Sequence, residues 1–176
     1  RAWRAPASGG VTDLDGLPHN RHARRQVRDL MEECIEAEGP VHRDRLAKAV
    51  AHSFGLSRVV PSRMESILAT ARARPDRHGF FWPTDVTPAS YREFRLDPGQ
   101  QRPIEHISPY ELGNAMRDVA RRSGGINEAE LMKETSELFG FHRLTPRTGN
   151  VLDAALLVAL ETGRLVLDRH LLRARG

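Results

Sequence analysis

Cysteine is nearly absent. A single Cys34 in 176 residues excludes an internal disulfide and any Cys-rich zinc site, and a reducing, cytoplasmic compartment is the expectation. Lysine is almost as scarce: of 27 basic residues only Lys48 and Lys133 are lysines, so arginine carries the positive charge. Guanidinium forks suit phosphate and aromatic stacking, although an arginine-rich chain is also usual in high-GC genomes, and both readings stand. No apolar run approaches the ~18 residues of a membrane span, and no charged-apolar-small leader opens the chain, so no membrane partner is expected. The chain begins with Arg1 rather than Met, which reads as a piece of a longer protein.

Catalytic signatures are missing too. There is no G-x-x-x-x-G-K-[ST], H-E-x-x-H or G-x-S-x-G, and no carboxylate pair followed by E-x-K on a strand. Glu130-Leu131-Met132-Lys133 comes nearest, but lies in an expected helix. Cys34 falls on an apolar helical stripe and reads as a small hydrophobe. The eight histidines are scattered. No enzymatic activity, cofactor or metal is expected.

What the chain does have is repetition. Slid against itself by about 85 residues, EGPVHRDRLAKAVAHSFGLSRVVPSR (38–63) aligns without a gap on SGGINEAELMKETSELFGFHRLTPRT (123–148). Gly39/Gly124, Leu46/Leu131, Lys48/Lys133, Phe54/Phe139, Gly55/Gly140, Arg58/Arg143 and Pro61/Pro146 are identical pairs. Internal repeats set a fold before any other feature does.

Each copy has the same rhythm. Residues 24–38 place Val27, Leu30, Met31, Cys34 and Ile35 on one helical stripe, and Ser108-Pro109 opens the counterpart with a cap and a first-turn proline. After Gly39-Pro40 or Gly124-Gly125 a short strand is expected at Val41 or Ile126. Helix two is then 43–53 or 128–138, capped by His42 or Asn127. Gly55 and Gly140 supply the left-handed residue that ends it. Helix three begins at Pro61 or Pro146 and runs to 74 or 162. A hairpin closes each copy, 79–82 with 93–96 and 163–167 with 170–173. This order is that of a winged helix-turn-helix. The expected fold is therefore mainly α with small β-hairpin wings, a tandem winged-helix repeat: copy one at 21–96, a connector at 97–108, copy two at 109–176. Residues 1–20, without a sustained period, read as a linker or arm.

The segments EGPVHRDRLAKAVAHSFGLSR, HGFFWP, YREFR, RPIEHISPYELGNAM and GGINEAELMKETSELFGFHRLTPR resemble a module known only as a domain of unknown function. It lies near the C-terminus of large bacterial superfamily 1 helicase-like proteins, some with a Vsr-type or restriction-like nuclease domain. The resemblance runs from about Arg24 onward. It implies a DNA-linked, phage-defence parent protein and brings no catalytic residues.

DNA is therefore the expected partner, beside other domains of the parent protein. Helix three of such a fold enters the major groove while flanking residues touch the backbone. In copy one this points to Ser62, Arg63 and Ser66, with Arg58 ahead, Arg72 and Arg74 beyond, and Arg24 and Arg25 on helix one. The competing reading is a solvated face paired with Asp29, Glu32, Glu33 and Asp44. In copy two Arg147 and Asn150 suit base readout, but Asp153, Glu161 and Leu157 suit a protein partner better. Repeated Arg58 and Arg143 read as braces at a helix end, and Phe81 and Trp82 as core.

Overall fold

The computed structural model describes residues 3–96 and 102–175. The chain is mainly helical with two small antiparallel strand pairs. It divides into two compact units, Arg1–Asp85 and Val86–Gly176.

The first unit holds α1 (Val11–Asp15), α2 (Arg21–Glu38), β1 (Val41–His42), α3 (Arg43–Ser53), α4 (Pro61–Leu68) and β2 (Phe80–Phe81). Asn20 starts α2 by accepting the His22 and Ala23 amides on its side chain. Val27, Leu30, Met31, Cys34 and Ile35 are buried as the periodicity requires. They pack with Leu46, Val50, Phe54 and Ile67 in one core, where each buried aliphatic side chain contributes about 1.5–3 kcal/mol. Gly39 ends α2 at a close approach, since a Cβ there would lie 2.4 Å from Pro83 Cδ and 2.6 Å from the Ile35 carbonyl. His42 Nδ1 accepts the Asp44 amide and caps α3.

The second unit holds a 3-10 turn at Ile104–His106, α5 (Pro109–Ser123), α6 (Glu128–Leu138), α7 (Pro146–Glu161), β3 (Leu165–Asp168) and β4 (Leu171–Ala174). Ser108 caps α5, Asn127 caps α6 and Thr145 caps α7. Strands β3 and β4 pair from Leu165 opposite Ala174 to Asp168 opposite Leu171, and Ile126 makes one bridge to Leu172. Leu112, Met116, Leu131, Leu152, Ala159 and Leu172 form the core.

The repeated residues occupy repeated places. Gly55 and Gly140 have φ of 81° and 82°, Phe54 and Phe139 cap their helices, and Pro61 and Pro146 open the third helix of each unit.

Three expectations are corrected and one is narrowed. Of the two readings of residues 1–20, linker or arm, the described part packs as an arm: Leu14 and Leu17 are buried in the first core, and the Ser8 amide donates to the Ser53 carbonyl at 2.8 Å. Helix α4 stops at Leu68 rather than 74, because Thr70 turns back on its end, its hydroxyl donating to the Ile67 carbonyl at 2.7 Å.

The first hairpin pairs differently. β2 lies against β1, Val41 opposite Phe81 and His42 opposite Phe80, while 93–96 form no strand. Asp76 dictates this return: Oδ1 accepts the His78 and Phe80 amides and Oδ2 accepts Trp82 Nε1–H.

The expected copy boundary also moves, since residues 86–96 belong to the second unit. Buried polar groups hold them there. Arg164, 2% exposed, donates to the carbonyls of Pro88, Ala89 and Tyr91 and to Asn114 and Thr162, with its guanidinium over the Tyr110 ring. Asn114 donates to the carbonyls of Tyr91 and Glu93. Glu111 takes the Arg95 amide and the guanidinium groups of Arg95 and Arg102. The connector's Ile104 and Ile107 are core residues; its positions 97–101 lie outside the described residues.

Candidate nucleic-acid interface

Ion pairing sorts the expected site residues of the first unit. Arg63, in the first turn of α4, is bound to Asp15 at the end of α1. Arg72 pairs with Glu32 of α2 at 3.1 Å. Arg25 lies 3.8 Å from Asp29 with both side chains largely exposed, a contact that contributes little. Ser62 and Ser66 are exposed, and the Ser66 hydroxyl donates to the Ser62 carbonyl. Among the described residues the exposed side chains of Arg24, Arg58 and Arg74 have no hydrogen bond or ion pair. The same holds for Arg4 and Arg21.

Two contacts lay the segment after α4 along α2. Arg28 Nε donates to the Thr70 carbonyl at 3.1 Å, and Arg72 meets Glu32 one turn further on. Arg24 precedes Arg28 by four residues and so shares its helix face. Arg24, Arg28 and Arg72 therefore line one flank, and exposed Arg74 follows Arg72 two residues on in sequence. Arg58 and Ser62 stand apart from this flank, at the start of α4. The exposed middle of α4 is close to neutral, because Glu65 is held by Arg43 at 2.6 Å.

In the second unit Arg147 is bound to Glu105, while Asn150 is exposed on α7. Asp153 and Leu157 share that exposed face, Leu157 at 60%.

A charge reversal separates the two units. At the repeat offset of 85, Arg43, Arg45 and His52 of α3 correspond to Glu128, Glu130 and Glu137 of α6. Arg43 and Arg45 are paired, to Glu65 and Glu38. Glu128, Glu130, Glu134 and Glu137 are exposed and, among the described residues, have no ion pair. This contrast was readable from the aligned copies; the part played by Asp15 was not, because no repeat contains it.

Arg58 and Arg143 do not brace the turns. Both are exposed without side-chain partners among the described residues, and backbone bonds close each helix end instead. The Gly55 and Leu56 amides donate to the carbonyls of His52 and Ala51, as those of Gly140 and Phe141 do to Glu137 and Ser136. Phe81 is core as expected, with Phe80 beside it, whereas Trp82, expected in the core too, is only half-buried, with its Nε1–H donated to Asp76. Burial pushes the Cys34 thiol up to about 12, with Glu38 adding to the rise, so it holds its proton at neutral pH.

These features define a mainly helical chain whose first unit presents a set of unpartnered arginines and whose second presents the unpaired carboxylates of α6. Residues 17–64, from just after α1 into α4, match the model of a family described as a protein of unknown function (DUF3320). No curated protein and no solved structure gives a match. Among the described residues no helix is long and apolar enough to cross a membrane.

Proposed function

We propose that the chain is a non-catalytic DNA-binding or DNA-positioning module built from two winged helix-turn-helix copies. The element order supports the copies: helix, short strand or bridge, helix, glycine turn, proline-led helix and a closing strand in each unit. The observation that carries the DNA reading is the set of exposed, unpartnered arginines of the first unit, Arg24, Arg58 and Arg74, beside Arg28 and Arg72. These groups suit phosphate contact rather than base readout. A larger helicase- or nuclease-type phage-defence parent, and a cytoplasmic setting, rest on the sequence resemblance alone.

A second reading belongs to the second unit. The unpaired carboxylates of α6 and the exposed Leu157 favour a protein partner, and an interaction or dimerisation module is the alternative for the whole chain.

The test is salt-titrated binding to duplex and single-stranded DNA. Affinity at ~50 mM salt should fall log-linearly as salt rises. Replacing Arg58 and Arg74 by Glu should weaken binding at least tenfold for every sequence tried and flatten the slope by about two. Undetectable binding at low salt, or an unchanged slope in the double variant, refutes the DNA reading.

A further inference from the structure

The arm touches the end of α3, the side of α2 and the first turn of α4, and it is fastened there at several points. The Ser8 amide bonds the Ser53 carbonyl at the end of α3, and Gln26 of α2 donates to the Ser8 carbonyl at 3.3 Å. Gly9 approaches the Phe54 ring so closely that a Cβ would sit 2.8 Å from it. Asp13 accepts the Gly10 amide at the start of α1, and Leu14 and Leu17 anchor α1 in the core. This mooring delivers Asp15, on the rim of the unit, to Arg63 in the first turn of α4. The pair leaves Arg63 incompletely satisfied: Nη1 is buried and has no hydrogen-bond partner among the described residues. A guanidinium is a planar fork that matches two acceptor oxygens, and here only Nη2 reaches the carboxylate.

We infer that Asp15 is an intramolecular stand-in for phosphate, a latch that keeps Arg63 from DNA until the carboxylate is displaced. This rests on the DNA reading. A backbone phosphate arriving at the first turn of α4 offers the negative charge Asp15 now supplies. Once the freed guanidinium swings outward, it also offers a further oxygen to Nη1, which is buried while the pair is closed. The exchange needs no unfolding of the arm, because Leu14 and Leu17 can stay buried while one exposed side chain turns away. Arg63 would then join Arg58 and Ser62, its exposed neighbours at the start of the helix.

The experiment is a cycle of variants in the 176-residue chain, with binding to a duplex of random sequence measured across a salt series and folding checked by thermal melting. Asp15→Asn removes the charge with little change of shape and should tighten binding roughly threefold to tenfold while steepening the salt slope by about one phosphate. Asp15→Glu keeps the charge and should bind as the parent chain does. Arg63→Gln should change little on its own, and should abolish the gain when added to Asp15→Asn. A gain that survives Arg63→Gln overturns the latch, since it would then be general electrostatics. So does a parent chain that binds DNA with no change in Asp15→Asn, which leaves the DNA reading standing. If neither the parent nor Asp15→Asn binds at low salt, both ideas fall together.

Discussion

Replacing Glu111 by Gln tests whether the second unit depends on a buried charge cluster. Glu111 is fully buried, while Arg95 and Arg102 remain about a third and a quarter exposed. Its Oε1 accepts the Arg95 amide at 2.8 Å and Arg102 Nη2 at 2.8 Å. Its Oε2 accepts Arg95 Nη2 at 3.1 Å and Arg102 Nη1 at 3.2 Å. A carboxamide keeps the first oxygen but turns a donor toward two donors at the second. Two charge-assisted bonds of about 1.5–3 kcal/mol each are then lost. Partial access of both arginines to water returns some of this, so the loss should be about 3 kcal/mol, the low end for breaking a buried ion pair. For a unit of this size that is roughly 15 °C in Tm. The chain supplies its own reporters, since both tyrosines, Tyr91 and Tyr110, lie in the second unit and both tryptophans, Trp3 and Trp82, in the first. The tyrosine near-UV signal should carry the shift. Acidity supplies a second check. Burial alone would push the Glu111 carboxyl up, but the hydrogen bonds and charges of Arg102 and Arg95 outweigh it and hold the group below the ordinary glutamate value. A depressed carboxylate stabilises fully above its unfolded value and loses that contribution as pH falls through its folded one. The gap between parent and variant should therefore be constant near neutrality and shrink as the pH drops below about 5. A tyrosine transition displaced by less than ~4 °C at pH 7, about 1 kcal/mol, would refute the reasoning.

Two further substitutions follow from the packing. Gly39→Ala should cost about 2–3 kcal/mol, because its Cβ would collide with Pro83 and the Ile35 carbonyl; denaturant titration followed by tryptophan fluorescence measures this, and a loss under ~0.5 kcal/mol would show that Pro83 yields freely. Arg164→Lys should destabilise the second unit by about 3 kcal/mol, since three ammonium donors cannot reproduce a fork that serves five oxygen acceptors. The tyrosine signal should change even before unfolding, with Tyr110 beneath the guanidinium and the Tyr91 carbonyl bound to it; an unaltered native spectrum counts against the clasp.

The helices of both units were legible because each has a strong local signal. Helix two agrees at both ends in both copies, 43–53 and 128–138, where a capping side chain precedes it and a positive-φ glycine follows. Legibility failed where the decisive contact is distant in sequence. Helix α1 is five residues long, too short to show a period, and Leu14 within it and Leu17 just after it are fixed only by the first core. The fate of 86–96 is set by Arg164 and Asn114, one from beyond α7 and one from α5, and nothing in YREFR announces that its carbonyls are clasped rather than paired in a hairpin. The candidate site was legible as a set of arginines but not as free against occupied ones. Arg63 and Arg72 differ from Arg58 and Arg74 through Asp15 and Glu32, 48 and 40 residues away.

That distinction gives the repeat its meaning. Both copies keep the letters that close a helix and start the next, so their backbones agree while the side chains around them diverge. On the DNA reading, a phosphate near the start of α3 would meet a helix N-terminus with Arg43 and Arg45 close by, each already neutralised by a glutamate. At the start of α6 it would meet Glu128 and Glu130, whose charge opposes the attraction that a helix N-terminus offers an anion. The cations nearest α6 do little to reverse this. Arg147 is held by Glu105, Lys133 lies on α6 with four glutamates, and Arg143 is the exposed exception at the turn that follows, unpartnered among the described residues. A duplex cannot then use both copies alike, and backbone contact concentrates on the α2 flank and the start of α4. On the same reading the acidic α6 suits a cationic protein surface, which would meet there the charge that phosphate would avoid.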